Sequence, residues 1–115
     1  MKRFFLSFTY AAEGFLHSIK KERNFMLHCL AAVAVITAGF AFHINDTEWM
    51  ILLLNIALVM ALEMLNTAIE RLCNLTHPQH HPMVKIIKDV SAGAVLIAAV
   101  VAFICGCIIF FPRIF

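Results

Sequence analysis

Long apolar stretches alternate with shorter polar ones along most of this chain. Three of the apolar stretches are close to the ~17–25 residues that an α-helix needs to cross a bilayer, and they cover residues 25–42, 49–69 and 90–111. The polar segment HINDTE (43–48) separates the first two, and a longer loop with Pro78 and Pro82 precedes the third. The pattern predicts an all-α integral membrane protein with three transmembrane helices.

The segment before the first apolar stretch has a different periodicity. Its apolar residues recur at three- and four-residue steps, at Phe4, Phe8, Ala11, Ala12, Phe15 and Ile19. On a helix these residues form one stripe, with most of the charged residues off it. Residues 1–24 are therefore predicted to form an amphipathic helix that lies on the membrane surface. The alternative is an N-terminal extension of the first span, and no secretory signal peptide is expected because charges interrupt the segment.

The overall composition agrees with a membrane protein. Of the 115 residues, 63% are hydrophobic and 14% are charged, whereas soluble domains average roughly 45–50% apolar and about 25% charged residues. The length suits a single domain over residues 1–115. The net charge of +2 is too small to indicate a nucleic-acid partner.

The basic residues predict the orientation of the spans. Eight of the nine Lys and Arg residues lie before the first span or between the second and the third, at Lys2, Arg3, Lys20, Lys21, Arg23, Arg71, Lys85 and Lys88. The 43–48 turn contains none. Because loops rich in Lys and Arg stay on the cytoplasmic side, we expect the N-terminus and the 71–89 loop in the cytoplasm and the C-terminus outside.

The stretch EMLNTAIE (63–70) places polar side chains at the end of the second span. Glu63 and Glu70 are seven residues apart, roughly 700° of helical rotation, so they share one face about 10 Å apart. Asn66 lies between them on the same side. A carboxylate as close to the hydrocarbon as Glu63 is a functional candidate by default. Asn55, deeper in the span, is interpreted as an interhelical hydrogen-bonding residue.

Further polar residues are expected at the same membrane depth. Glu22 precedes the first span, and Lys88 and Asp89 begin the third. Mg²⁺ typically binds one or two carboxylates together with substrate phosphates, a Lys neutralises phosphate charge, and another carboxylate accepts a proton from an attacking hydroxyl. The set suits phosphoryl transfer, although the chain has no GxxxxGK[ST] phosphate loop.

Three motifs carry a resemblance to a known family. They are E-x-L-N-T-A-I-E at 63–70, E-R-N-F at 22–25 and K-D-x-x-A-G-A-V at 88–95. Together they resemble the small prokaryotic diacylglycerol kinase family, which includes undecaprenol kinases, over nearly the whole chain. The segments YAAEGF, KERNF and NTAIER are more similar to the undecaprenol kinase branch than to the diacylglycerol kinases of Gram-negative bacteria.

The resemblance implies an ATP-dependent lipid kinase. Such an enzyme transfers the γ-phosphate of ATP, with Mg²⁺, to the hydroxyl of undecaprenol or diacylglycerol, as part of phospholipid and lipid metabolism. It implies a homotrimer in the bacterial cytoplasmic (inner) membrane. Two departures concern nucleotide contacts: Asn74 stands where many members carry Asp, and His77, His80 and His81 fall where the diacylglycerol kinases have a Glu-Tyr-His stretch.

The resemblance also implies roles for individual residues. Glu63 matches the general base, and Glu22 and Glu70 match the metal ligands. The residues matched to ATP binding are Arg3, Tyr10, Glu22, Asn66, Glu70, Gln79, His81, Lys88 and Asp89. Those expected to meet the lipid are Arg3, Glu63 and Ala92, the last because small residues at the start of the third span leave room for a headgroup or allow close helix packing.

Other interpretations of the same residues remain open. A small oligomeric transporter would use Glu63 as a proton or cation site, although transporters place polar groups at depth in several spans. A non-catalytic membrane scaffold would leave the clustered carboxylates unexplained. The histidines of the 76–85 loop are expected to lie over a nucleotide or in solvent rather than to bind a metal. The four cysteines show no metal-ligand spacing, and no disulfide is expected.

Overall fold

The computed structural model describes all 115 residues and consists of four α-helices without β-strands. The helices are α1 (Lys2–Lys21), α2 (Arg23–Ala41), α3 (Asp46–Thr76) and α4 (Pro82–Ile114). Three of them, α2, α3 and α4, are long and apolar enough to cross a membrane. The predicted all-α fold with three spans after an N-terminal helix is confirmed. Both α3 and α4 continue beyond the predicted spans, so that only residues 77–81 join them.

The N-terminal helix α1 is separate from α2. Glu22 between them has extended backbone angles (φ −112°, ψ 110°), so the chain changes direction at this residue and α1 does not extend the first span. Phe15 of α1 packs edge-on against Phe25 of α2, with ring centroids 5.3 Å apart, and Phe25 is fully buried. The apolar residues Phe4 and Phe8 remain exposed, as expected for a helix whose apolar stripe faces lipid.

The three long helices pack unevenly. The contact between α3 and α4 is the most extensive, whereas α2 packs less extensively against α3. Only 12 of the 115 residues are buried, so most apolar side chains point outward. A protein surrounded by lipid needs no polar surface there, because the lipid tails are as apolar as the side chains.

A tight turn joins α2 to α3 at the end that we call the far end (residues 39–49 and 109–113). The N–H of Ile44 donates to the carbonyl of Gly39 (3.2 Å) and that of His43 to the carbonyl of Phe40 (3.3 Å), which is the Schellman pattern of helix ends. His43 has φ 54°, in the left-handed region that favours glycine. A Cβ at Gly39 would lie 2.7 Å from Cη2 of Trp49, so the glycine allows this indole to pack on α2.

The far end is also tied to the end of α4. Asn45 and Glu48 form a reciprocal capping box at the start of α3, with hydrogen bonds of 2.9 and 3.0 Å. The carboxylate of Glu48 accepts two further hydrogen bonds, of 2.6 and 2.7 Å, from the guanidinium of Arg113. One side chain therefore caps α3 and holds α4.

Candidate active site

The last turns of α3 carry most of the predicted polar residues. The helix runs without interruption to Thr76, so these polar side chains from Glu63 onward lie on one continuous helix. We call them the polar ladder. Its members contact different parts of the chain: they are Glu63, Asn66, Glu70, Arg71 and Asn74. We call this region, together with Glu22 and the start of α4, the polar end.

Glu63 is the innermost member of the ladder. It is buried, with 7% of its surface exposed. Its Oε1 lies 3.2 Å from Nε2 of His28 on α2. A buried carboxylate needs a polar or charged neighbour to offset its lost hydration, and His28 is in that position. The sequence pattern identified Glu63 but not this partner, because nothing in the local spacing links residues on two helices.

An apolar groove begins one turn from Glu63. It lies between α2, α3 and α4, has a volume of about 420 Å³ and is lined mainly by hydrophobic residues. Met60 and His28 line it near Glu63, and Phe111 lines it towards the far end. Asn55 also lines it, but its amide donates to the carbonyl of Ile51 in its own helix (2.8 Å). Within one chain Asn55 therefore does not bond to another helix, because a bond within α3 satisfies its amide N–H locally.

The middle of the ladder joins α3 to α4. The Oδ1 of Asn66 accepts a hydrogen bond of 2.6 Å from the hydroxyl of Ser91. The Nδ2 of the same amide donates to Oε1 of Glu70 (3.3 Å). Ser91 is buried, so its hydroxyl, and not only its small size, has a role at this position. Asn66 is thereby fixed from both sides.

Glu22 reaches α3 through Arg71. The Nη2 of Arg71 donates to Oε1 of Glu22 (2.7 Å), and its Nη1 lies 2.8 Å from Nε2 of His17 on α1. This contact brings Glu22 to the helical turn that also carries Glu70. The sequence pattern uses Arg71 only as a topology signal, because its partner is 49 residues away along the chain.

A polar pocket of about 310 Å³ lies beside the α3–α4 loop. The Nζ of Lys88 donates to Oδ1 of Asn74 (2.6 Å), and that of Lys85 pairs with Asp89 (2.6 Å). Asn74, at the position where Asp is common in the family that the sequence resembles, therefore keeps a partner for Lys88 but removes a negative charge. The pocket brings together four of the predicted nucleotide-binding residues, Gln79, His81, Lys88 and Asp89, with His77 and His80.

Other predicted residues lie apart from these contacts. Arg3 and Tyr10 are exposed on α1, and neither side chain forms a hydrogen bond or ion pair with another helix. Ala92 is exposed on α4, next to Ser91. His81 lies in the polar pocket but also accepts a hydrogen bond from the N–H of Met83 (3.1 Å) at the start of α4. No three His, Cys, Asp or Glu side chains are grouped closely enough to hold a metal ion by themselves.

The amino-acid sequence is similar to those of known lipid kinases. Residues 9–110 match the sequence profile of the family described as prokaryotic diacylglycerol kinase. The chain is 44% identical over 113 residues to an undecaprenol kinase of Bacillus subtilis, covering 98% of this chain and 92% of that protein. It is 44% identical over 108 residues to a diacylglycerol kinase of Synechocystis, covering 93% and 62% of the two chains. A diacylglycerol kinase of Haemophilus influenzae is 30% identical over 103 residues, covering 89% and 87%.

Proposed function

The chain belongs to the prokaryotic diacylglycerol kinase family and is an ATP-dependent lipid kinase, and on that premise we propose that its acceptor is undecaprenol. The similarity to an undecaprenol kinase spans nearly the whole of both chains, which supports this choice. Diacylglycerol is the second candidate, because an equally similar relative is named a diacylglycerol kinase, although the chain spans only 62% of it. Because the family is one of lipid kinases, the transporter and scaffold alternatives have no support.

The observation that carries the proposal is the position of Glu63. Its buried carboxylate lies between an apolar groove and a ladder of polar side chains. A lipid alcohol needs the same combination, because its tail must stay in an apolar environment while its hydroxyl meets a charged nucleotide. We propose that the first part of the tail lies in the groove with the hydroxyl beside Glu63 and near Ala92, and that Arg3 of a neighbouring copy meets the lipid at the membrane surface.

Glu63 acts as the general base in the proposed reaction. The hydroxyl oxygen of the lipid attacks the γ-phosphorus of ATP and forms a new P–O bond. The bond between the γ-phosphorus and the oxygen bridging to the β-phosphate breaks, and ADP leaves with that oxygen. The hydroxyl proton moves to the carboxylate of Glu63, which must lie about 2.6–3.2 Å from the hydroxyl to accept it.

Glu22 and Glu70 are the proposed ligands of Mg²⁺. Each accepts a protein hydrogen bond at Oε1 only, from Arg71 and Asn66 respectively, so each has Oε2 free. Two carboxylates without a complete cage suit this ion, which usually keeps waters and shares substrate phosphates. When bound, Mg²⁺ would neutralise charge on the phosphates.

The remaining ATP contacts are proposed along the polar end. Lys88 offers a positive charge to the phosphates, and Asn66 and Asp89 complete the surroundings of the two metal ligands. Gln79 and His81 line the polar pocket, which supports a role for the loop in holding the nucleotide. Within one chain the exposed side chains of Arg3 and Tyr10 form no polar contact with this region, so we propose that α1 of a neighbouring copy supplies them.

The proposed setting is the bacterial inner membrane, with the N-terminus and the 71–89 loop in the cytoplasm and the C-terminus outside. Arg113 is the one basic residue near the opposite end, and Glu48 pairs with it, so its charge does not counter the positive-inside pattern. We also propose a homotrimer. The small number of buried residues in one chain supports further helix contacts between copies.

The test is an acceptor competition with purified protein in mixed micelles. ATP labelled in its γ-phosphate is supplied with equal amounts of undecaprenol and diacylglycerol, and the labelled lipids are separated and counted. We expect labelled undecaprenyl phosphate to dominate with the wild-type protein. With a Glu63→Gln protein, we expect only a trace of label in either lipid. Preferred labelling of diacylglycerol would overturn the substrate assignment, and a folded wild type that labels neither lipid would overturn the proposed function.

A further inference from the structure

The carboxylate of Glu63 has a single polar neighbour. The Nε2 of His28 lies 3.2 Å from Oε1 of Glu63. The side chain of His28 is 29% exposed and that of Glu63 is 9% exposed. No other polar group of the chain contacts either oxygen. Oε2 is therefore free, whereas Oε1 faces an imidazole that can donate from Nε2.

We propose that His28 is a positioning residue for Glu63. It holds Oε1 on the α2 side, which leaves Oε2 for the hydroxyl of the acceptor lipid. This inference rests on the proposed function, because it assumes that Glu63 is the base. His28 itself does not have to touch the substrate or exchange a proton with it.

The need for a positioning residue follows from the flexibility of glutamate. Its side chain has three rotatable bonds, and a base that is displaced by about 1 Å can lose on the order of 10²-fold in rate. Asn66 lies one turn along α3 from Glu63, towards the polar end. Without His28, the carboxylate would turn towards such polar groups and away from the groove, because an unpartnered buried charge is costly.

The position of His28 in the fold supports the same role. It lines the groove and contacts Glu63 at once, so it lies where the tail site meets the base. It also connects α2 to α3 near the polar end, as the Gly39–Trp49 contact does near the far end. A purely structural role in joining α2 to α3 is therefore the explanation that an experiment has to separate from positioning.

The first comparison uses His28→Leu, His28→Gln and the neighbouring Cys29→Ala as control, with kcat and both KM values measured in micelles. Leucine removes the donor, so we expect kcat to fall about 10- to 100-fold with KM for ATP unchanged. Glutamine places an amide N–H near the position of Nε2, so it should restore kcat to within about fivefold of wild type. Cys29→Ala should match wild type.

The second comparison repeats His28→Leu in a Glu63→Gln background. A residue that acts through Glu63 has nothing left to position there, so the double variant should be no slower than Glu63→Gln alone. Should His28→Leu fail to fold, His28→Asn replaces it, because its shorter amide does not reach Glu63.

Three results would overturn the inference. The first is a normal kcat for His28→Leu. The second is an equal reduction of kcat in His28→Gln and His28→Leu at unchanged thermal stability. The third is that His28→Leu lowers kcat by the same factor in the wild-type and the Glu63→Gln backgrounds. A wild-type protein without lipid kinase activity would instead contradict the proposed function, so the two failures are distinguishable.

Discussion

Arg71 of α3 donates a hydrogen bond of 2.7 Å to Glu22, the one extended residue between α1 and α2. The two side chains are 50% and 28% exposed, and ion pairs of this kind contribute only about 0.2–1 kcal/mol to stability. The pair has a larger effect on the local electrostatics around Glu22 than on stability. It places a cation beside a carboxylate that we propose as a ligand of Mg²⁺, and this cation opposes the binding of another.

Removing the charge of Arg71 should therefore favour the metal. In Arg71→Gln, we expect the Mg²⁺ concentration for half-maximal activity to fall about fivefold, since a unit charge at contact distance is worth about 1 kcal/mol in water. A Mg²⁺ titration of activity measures this, with the exposed Lys20→Gln as control. A higher Mg²⁺ requirement would show instead that Arg71 helps to hold Glu22 or a phosphate.

Glu63→Gln tests the base directly. Glutamine keeps the size of the side chain but cannot accept the hydroxyl proton, so kcat should fall about 10²-fold or more with little change in KM for MgATP. Steady-state kinetics measure both, and Glu13→Gln on the exposed face of α1 is the matched control. A near-normal kcat would exclude Glu63 as the base.

Glu22→Gln and Glu70→Gln test the proposed metal ligands. Each removes one anionic ligand, so each variant should need more Mg²⁺ for half-maximal activity, and saturating Mg²⁺ should restore part of the rate. The same Mg²⁺ titration applies. Unchanged dependence in both variants would leave the two carboxylates as helix-end charges only.

Mixed assemblies test whether the sites are shared between chains. If one site takes Arg3 from α1 of a neighbouring copy in a trimer, co-assembly of a Glu63→Gln chain with an Arg3→Gln chain forms some sites with neither substitution. Activity should then exceed that of either variant alone, and native mass spectrometry should detect trimers. No rescue would confine each site to one chain, and active preparations that contain only monomers would contradict the trimer.

His43 offers a test of the far end that leaves the polar end untouched. Its left-handed backbone (φ 54°) costs a non-glycine residue roughly 1–2 kcal/mol, so His43→Gly should stabilise the protein by about 1 kcal/mol after the entropy of glycine is subtracted. The thermal midpoint in detergent measures the change at normal activity. His43→Ala, which keeps a Cβ, should bring no gain, and a lower midpoint for His43→Gly would contradict the assignment.

The sequence was sufficient for the helices and for the residues of the EMLNTAIE stretch. Long apolar runs and the periodicity before Phe25 predict helices because both signals are local, and a seven-residue spacing places Glu63 and Glu70 on one face whatever surrounds the helix. The ends of α3 and α4 were harder to predict. Polar residues such as Asn74 and Lys85 carry no hydrophobic signal, yet they continue the helices almost to the loop.

The partners of these residues were not predictable from spacing. His28 beside Glu63, Ser91 beside Asn66 and Arg71 beside Glu22 each depend on how two helices pack, and no local pattern reports that. Ser91 shows the difficulty well. In a row of small residues it is typical of helix packing, and only its hydrogen bond to Asn66 reveals a second role.

The break at Glu22 gives this residue a double position in the molecule. Its φ and ψ angles set the tilt of α1 against the bundle, and the same two angles set the direction of its own Cα–Cβ bond. The tilt of α1 and the direction of the Glu22 carboxylate therefore change together. A change in how α1 rests on the bilayer, through lipid packing or surface charge, would be transmitted to the direction of that carboxylate without any signal passing through the three spans.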